Sequence, residues 1–194
     1  MTRRLLLVTG LLVAVAGLGV LWWWNARPAQ PSVSSADVAT PAPAESPEPV
    51  GHITATLYYL AEDGAQLVAV RQDVPLAEGG LAAQGRELVW AQLAAPPDPQ
   101  RSPIPAGTAL RAFYVTARGD AFVDLSADVS TGHPGGSLGE LLTVAALVNV
   151  VTTNLPAVRR VQILIEGQEV DTLAGHVDLR RPLPQDLSLV RGES

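Results

Sequence analysis

Twenty consecutive residues without a charge, LLLVTGLLVAVAGLGVLWWW at 5–24, constrain this chain more than any other feature. As a helix rising ~1.5 Å per residue, such a run covers ~30 Å, the hydrocarbon thickness of a bilayer. Arg3 and Arg4 precede it and only Arg27 follows closely, an asymmetry that keeps the N-terminus cytoplasmic and sends the rest outward. Trp22, Trp23 and Trp24 fall at the outer boundary, where indole rings prefer to lie. The alternative is a cleaved signal peptide, whose apolar region is ~7–15 residues long and ends in small residues. The longer run and its three tryptophans favour an uncleaved, single-pass anchor over residues 1–24 in the cell membrane.

Residues 25–50 hold six prolines, six alanines and four serines. A segment so poor in large apolar side chains cannot offset its ordering entropy by burial, and its prolines favour extended conformers. It reads as a tether reaching between ~30 Å as a coil and ~80 Å fully extended. The expected organisation is anchor, tether, a folded domain over 51–186, and a tail over 187–194.

The net charge of −6, from 13 cations against 19 acids, gives little surface for neutralising phosphates and excludes nucleic acid as the expected partner. Without cysteine there is no disulfide scaffold, thiolate metal site or lipidated Cys anchor.

Beyond Gly51 the pattern turns periodic. Ile53, Ala55, Leu57 and Tyr59 alternate with Thr54, Thr56 and Tyr58. With Glu62-Asp63-Gly64 as a turn and Leu67–Val74 as the return strand, this predicts a hairpin. Residues 79–94 read as a helix weakened by Gly85 and stopped by Pro96-Pro97. Leu110–Thr116 and Ala121–Leu125 flank Arg118-Gly119-Asp120, a second hairpin turn rather than an adhesion motif. Ser137-Leu138-Gly139-Glu140 fits a capping box opening a helix. The wide apolar stripe that follows predicts a central buried helix ended by Pro156. In Arg159–Glu166, Val161, Ile163 and Ile165 face one way and Arg160, Gln162 and Glu166 the other, toward solvent. Strands at Glu169–Leu173 and from His176 to Leu183 complete the order β-β-α-β-β-α-β-β. The expected class is α+β, two helices packed on a largely antiparallel sheet.

These residues resemble the GerM family of sporulation and spore-germination proteins. The resemblance is carried by VRRVQILIEGQEVDTLAGHVDLRRPL (158–183), by Ile104–Thr108 and by Gly119–Ser126. Tyr58-Tyr59, Asp63-Gly64 and Leu67-Val68 match the opening hairpin. The similarity spans 53–183. Ala95-Pro96 replaces the glycine–proline pair that commonly ends the family's first helix, and the lipoprotein Cys of many members is missing. The resemblance implies a non-enzymatic, extracytoplasmic envelope domain, similar to the ring-building motifs of sporulation machinery. It supplies no catalytic residues, and homo-oligomers are compatible with the kinship.

Chemistry is sparse. His52, His133 and His176 are scattered without metal-ligand spacing, so no metal or cofactor is expected. His176 with Asp171 or Asp178 and Ser126 would compose a hydrolase triad, but Ser126 lacks the context of an exposed nucleophile. Glu166, Glu169, Asp171 and Asp178 invite a glycan-hydrolase reading, and a solvated strand edge explains them more simply. The expected interaction edge is therefore Arg159, Arg160, Glu169, Asp171, His176 and Asp178. Its expected partners are envelope proteins, or else peptidoglycan or its remodelling enzymes, while the anchor itself lies in the membrane. A peptidoglycan-binding or peptidoglycan-hydrolysing protein is the alternative.

Overall fold

The computed structural model describes residues 51–192, so the anchor and tether expected at 1–50 lie outside the described residues. Strand β1 (His52–Leu60) pairs antiparallel with β2 (Leu67–Pro75), Tyr58 opposite Ala69. The turn between them closes through Ala61 N–H on Gln66 C=O and Ala65 N–H on the Asp63 carboxylate. Helix α1 (Leu81–Leu93) follows, then β3 (Leu110–Val115) and β4 (Asp120–Leu125), a second antiparallel hairpin. A single turn, α2 (Asp128–Thr131), leads to α3 (Ser137–Asn154), and the chain returns as β5 (Arg160–Ile165). Two short segments, β6 (Gln168–Glu169) and β7 (Leu183–Pro184), both pair antiparallel with β5.

The α+β class holds, with one pairing that alternation alone does not reveal. Strand β5 lies parallel to β4, Asp120 opposite Arg160 and Leu125 opposite Ile165. Parallel neighbours need a crossover, and α3 supplies it. This helix is long and apolar enough to cross a membrane by composition, yet most of its residues are buried inside the domain, against β1, α1, β5 and β7. Its stripe is as wide as the sequence predicts because it is covered on several sides.

Three expectations need correction. The strand expected at 169–173 and the extended piece from His176 to Leu183 are one interrupted edge: β6 pairs near the end of β5, β7 pairs at its start, and residues 170–182 leave the sheet between them. That excursion folds over the face where Gln162 points. Gln162 is therefore buried, donating from Nε2 to the Leu179 carbonyl at 2.6 Å, rather than exposed. The segment 187–194, set apart as a tail, continues the domain as far as Arg191: Leu67 N–H donates to Leu189 C=O, and Arg191 N–H to Leu67 C=O, at 2.8 Å each.

Gly85 is required by a close approach, whatever it costs α1 in propensity. A Cβ there would stand 2.1 Å from Cε1 and 2.4 Å from Cζ of the buried Phe113 on β3. Gly85→Ala gains about 1 kcal/mol of helix propensity, but overpacking a filled core outweighs that. The expected result is a net loss of about 1–2 kcal/mol, read as a lower urea midpoint. A neutral or stabilised variant would show that α1 and β3 do not meet this closely.

The hairpin β1–β2 has two outer edges, treated differently. On β1, the Gln92 amide bonds both Tyr58 N–H and C=O, at 2.9 and 2.8 Å, and the Asn154 amide bonds both those of Thr56, at 2.8 Å each. Leu60 N–H donates to Arg101 C=O. Two side-chain amides thus stand in for a neighbouring strand. On β2 only the ends are closed, Leu67 by residues 189–191 and the Pro75 carbonyl by Gln84 Nε2. Antiparallel alternation turns the N–H and C=O of Ala69, Arg71 and Asp73 away from β1, as it does those of Thr56 and Tyr58 on the other side. Among the described residues these three have no backbone partner.

Candidate functional site

The polar centre of the domain is built around Glu140. Its carboxylate is fully buried. Oε1 accepts Leu173 N–H at 2.8 Å and Ala174 N–H at 3.0 Å, while Oε2 accepts His176 N–H at 2.8 Å and lies 3.1 Å from His176 Nδ1. Burial works against the charge, but the converging N–H groups of the excursion outweigh it and hold the carboxyl below the ordinary glutamate range. The capping box is therefore overturned. The helix begins after Gly135-Gly136, both at φ +84°, without a side-chain cap. Glu140 turns inward, where several donors from another segment compete against the single one a cap would offer.

This clamp explains the Leu173-Ala174-Gly175-His176 stretch. Its backbone must turn sharply, with Gly175 at φ +99°, so that consecutive N–H groups point at one carboxylate. The Ser130 hydroxyl donates to the Leu173 carbonyl from the other side. At the neck of the excursion Leu179 N–H donates to Asp171 C=O at 2.8 Å.

The sequence-derived edge residues fall into two groups. Arg160 opens β5 and grips Asp120 with two bonds, Nε–Oδ1 2.8 Å and Nη2–Oδ2 3.2 Å. Arg159 is exposed beside it, its N–H on Gly119 C=O at 2.7 Å and its Cγ against the Gly119 turn. Asp120 of the Arg-Gly-Asp triplet is thereby engaged, its side chain only 16 % exposed, which suits a turn. The second group rides on β6 and the excursion. Glu169 pairs with Leu164 and is exposed, Asp171 is exposed at the neck, and Asp178 binds Arg180 through two bonds at 2.9 and 2.7 Å. The hydrogen bonds from Arg180 hold the Asp178 carboxyl well below the usual range. The His176 ring is 44 % exposed while its Nδ1 faces Glu140.

Ser126 and His176 are not brought together as a hydrolase triad. The Ser126 hydroxyl donates to Asp128 at 2.9 Å and accepts Ala109 N–H at 3.0 Å, whereas His176 is committed to Glu140. Glu166 is drawn into a bridge in which Arg111 reaches both Asp124 and Glu166, and its Oε1 accepts Ala127 N–H. His133 accepts Gly135 N–H on Nδ1 and meets the Thr143 hydroxyl with Nε2 at 3.1 Å. Among the described residues no three of His, Cys, Asp and Glu converge on a metal position. Two apolar cavities, one of about 230 Å³ beside Ile104 and His133 and one of about 170 Å³ between α3 and β7, fall below the ~300 Å³ at which small-molecule sites usually begin.

Sequence reasoning missed Glu140 and Gln92. The available signals were an acid within an otherwise apolar helix face and a glutamine among the buried positions of α1.

A family model described as "Germane: Sporulation and spore germination" matches residues 56–171. Among solved structures, a presumptive lipoprotein from Clostridium perfringens superposes with a TM-score of 0.50 at 22% identity, covering 70% of this chain and 89% of its own. The tandem GerMN domains of the sporulation protein GerM from Bacillus subtilis give a TM-score of 0.50 at 19% identity, over 70% of this chain and 45% of theirs. At these identities the likeness is one of fold. No curated protein matches the chain significantly. With more than half of its length matched by that model, over a domain of the same α+β fold, the chain belongs to the Germane family.

Proposed function

We propose that this protein is a membrane-anchored, extracytoplasmic interaction module without enzymatic activity, serving envelope assembly of the sporulation or germination type. The observation that carries the reading is the use made of Glu140. A general acid or base needs a lone pair or proton within reach of substrate, and this buried carboxylate is taken up by the excursion's own backbone. Family membership supports the setting, and the charge-free run at 5–24 supports the anchor. The exposed Arg159, Glu169, Asp171 and Asp178, with Arg160 and His176, are the groups proposed to meet an envelope protein.

The test is crosslinking of the full chain in its own membranes followed by affinity capture. The expected result is an envelope protein whose recovery falls at least tenfold in an Arg159→Glu, Arg160→Glu double variant. Incubation of the full chain with sacculi is the companion measurement, and no soluble fragment should be released. Release that disappears in His176→Ala would replace this reading with a peptidoglycan hydrolase. Cosedimentation without release would replace it with a glycan binder.

A further inference from the structure

The open stretch of β2 is a second surface, independent of the one above. Exposed sheet edges normally present unpaired N–H and C=O groups that template another strand, and folds blunt them. This domain blunts β1 with two amides and both ends of β2 with other segments, yet among the described residues nothing covers Ala69, Arg71 and Asp73 between them. All three side chains are exposed, and Arg71 and Asp73 stand two apart on one face. Among the described residues neither forms an ion pair, and Asp73 accepts only the Thr54 hydroxyl, at 3.2 Å.

We propose that this edge pairs with the same edge of a second copy, antiparallel, about a two-fold axis at Gln72. The charges select the register. An axis at Arg71 would set Arg71 against itself, and an axis at Val70 would set it against Ala69. The axis at Gln72 sets each Arg71 opposite Asp73 of the second copy, twice over, and opposite charges facing across strands stabilise the pairing. Arg71 and Asp73 then exchange four backbone hydrogen bonds with their counterparts, because both point outward from β2. On the other face, half-buried Val70 comes opposite Val74, and Leu76, 46 % exposed, comes beside Val68. A two-fold interface closes on itself and yields a dimer. This pairing goes beyond the proposed function and does not rest on it.

The chain has no cysteine, so introduced thiols report the register directly. At a position not hydrogen-bonded across the axis, facing Cα atoms lie ~4.5 Å apart, inside the ~4.4–6.8 Å a disulfide spans. Full-length Gln72→Cys, reconstituted in phospholipid vesicles and oxidised, is expected to become a covalent dimer. Ala69→Cys, whose two copies sit six residues apart in this register, is expected to link at least tenfold less. Within the Gln72→Cys background, Arg71→Asp or Asp73→Arg alone should cut the yield several-fold, and the double reversal should restore it. Because Gln72 is itself half-buried, a mixture of Val70→Cys and Val74→Cys chains provides a second reading of the same register. An unlinked Gln72→Cys chain together with an unlinked mixture overturns the proposal, as it would if another protein's strand or the residues after Arg191 occupied the edge. Equal linking of Ala69→Cys, or a double reversal that fails to restore the dimer, overturns it as well.

Discussion

Glu140→Ala is expected to lower stability by about 3–5 kcal/mol, because each backbone donor left buried and unpaired costs about 1–3 kcal/mol. The N–H groups of Leu173, Ala174 and His176 would all lose their acceptor. At about 2–4 °C per kcal/mol for a domain of this size, the melting midpoint should fall by roughly 6–20 °C. Glu140→Gln keeps one acceptor oxygen but turns an NH2 toward donors, so it should lie between wild type and the alanine variant. Acidity separates these effects. The folded carboxyl is held below its ordinary value, near 4.3 in an unfolded chain, so it stabilises the fold in full above that value. The contribution is withdrawn as pH falls through the lower folded value. Thermal melts between pH ~6 and ~3 should therefore show the wild type losing stability relative to Glu140→Gln, which has no carboxylate to protonate. An alanine variant within about 1 kcal/mol of wild type would mean that the excursion is held by something other than this clamp.

Gln92→Leu is the second large effect. The substitution keeps volume and helix propensity but removes both bonds to Tyr58, whose N–H and C=O sit in a fully buried setting. Two unpaired backbone groups cost about 2–4 kcal/mol together. Asn154→Leu removes the equivalent bonds at Thr56, where the contacts are only part-buried and water can replace part of what is lost. Urea denaturation of the two variants should rank Gln92→Leu as the weaker fold. Equal losses would argue that water already reaches the β1 edge at Tyr58.

Both hairpins were legible from their turns, since Asp63-Gly64 and Arg118-Gly119 sit between alternating runs and occupy the turns observed. The long helix was legible from its stripe. What alternation does not carry is partnership. Val161, Ile163 and Ile165 announce a strand whichever neighbour it takes, so the parallel pairing with β4 was hidden. A period of two assumes one solvated face and so puts Gln162 in solvent, whereas residues 170–182 cover that face. Ser137, three residues before Glu140, fits a local motif that predicts a cap. The donors that claim the Glu140 carboxylate lie more than thirty positions further on. The candidate edge residues were found as exposed charges, but their division between the Gly119 turn and the excursion follows from the interrupted strand, which no spacing signals.

The parallel pairing also sets an order of assembly. Hairpins β1–β2 and β3–β4 close over a few residues, at little cost in loop entropy. Arg160 meets Asp120 across a sequence separation of 40, and entropy charges for closing so wide a loop before any contact rewards it. A chain emerging from its N-terminal end thus presents β4 bare along one side until α3 has coiled and β5 has arrived. Chaperones and proteases would find their opening in that interval.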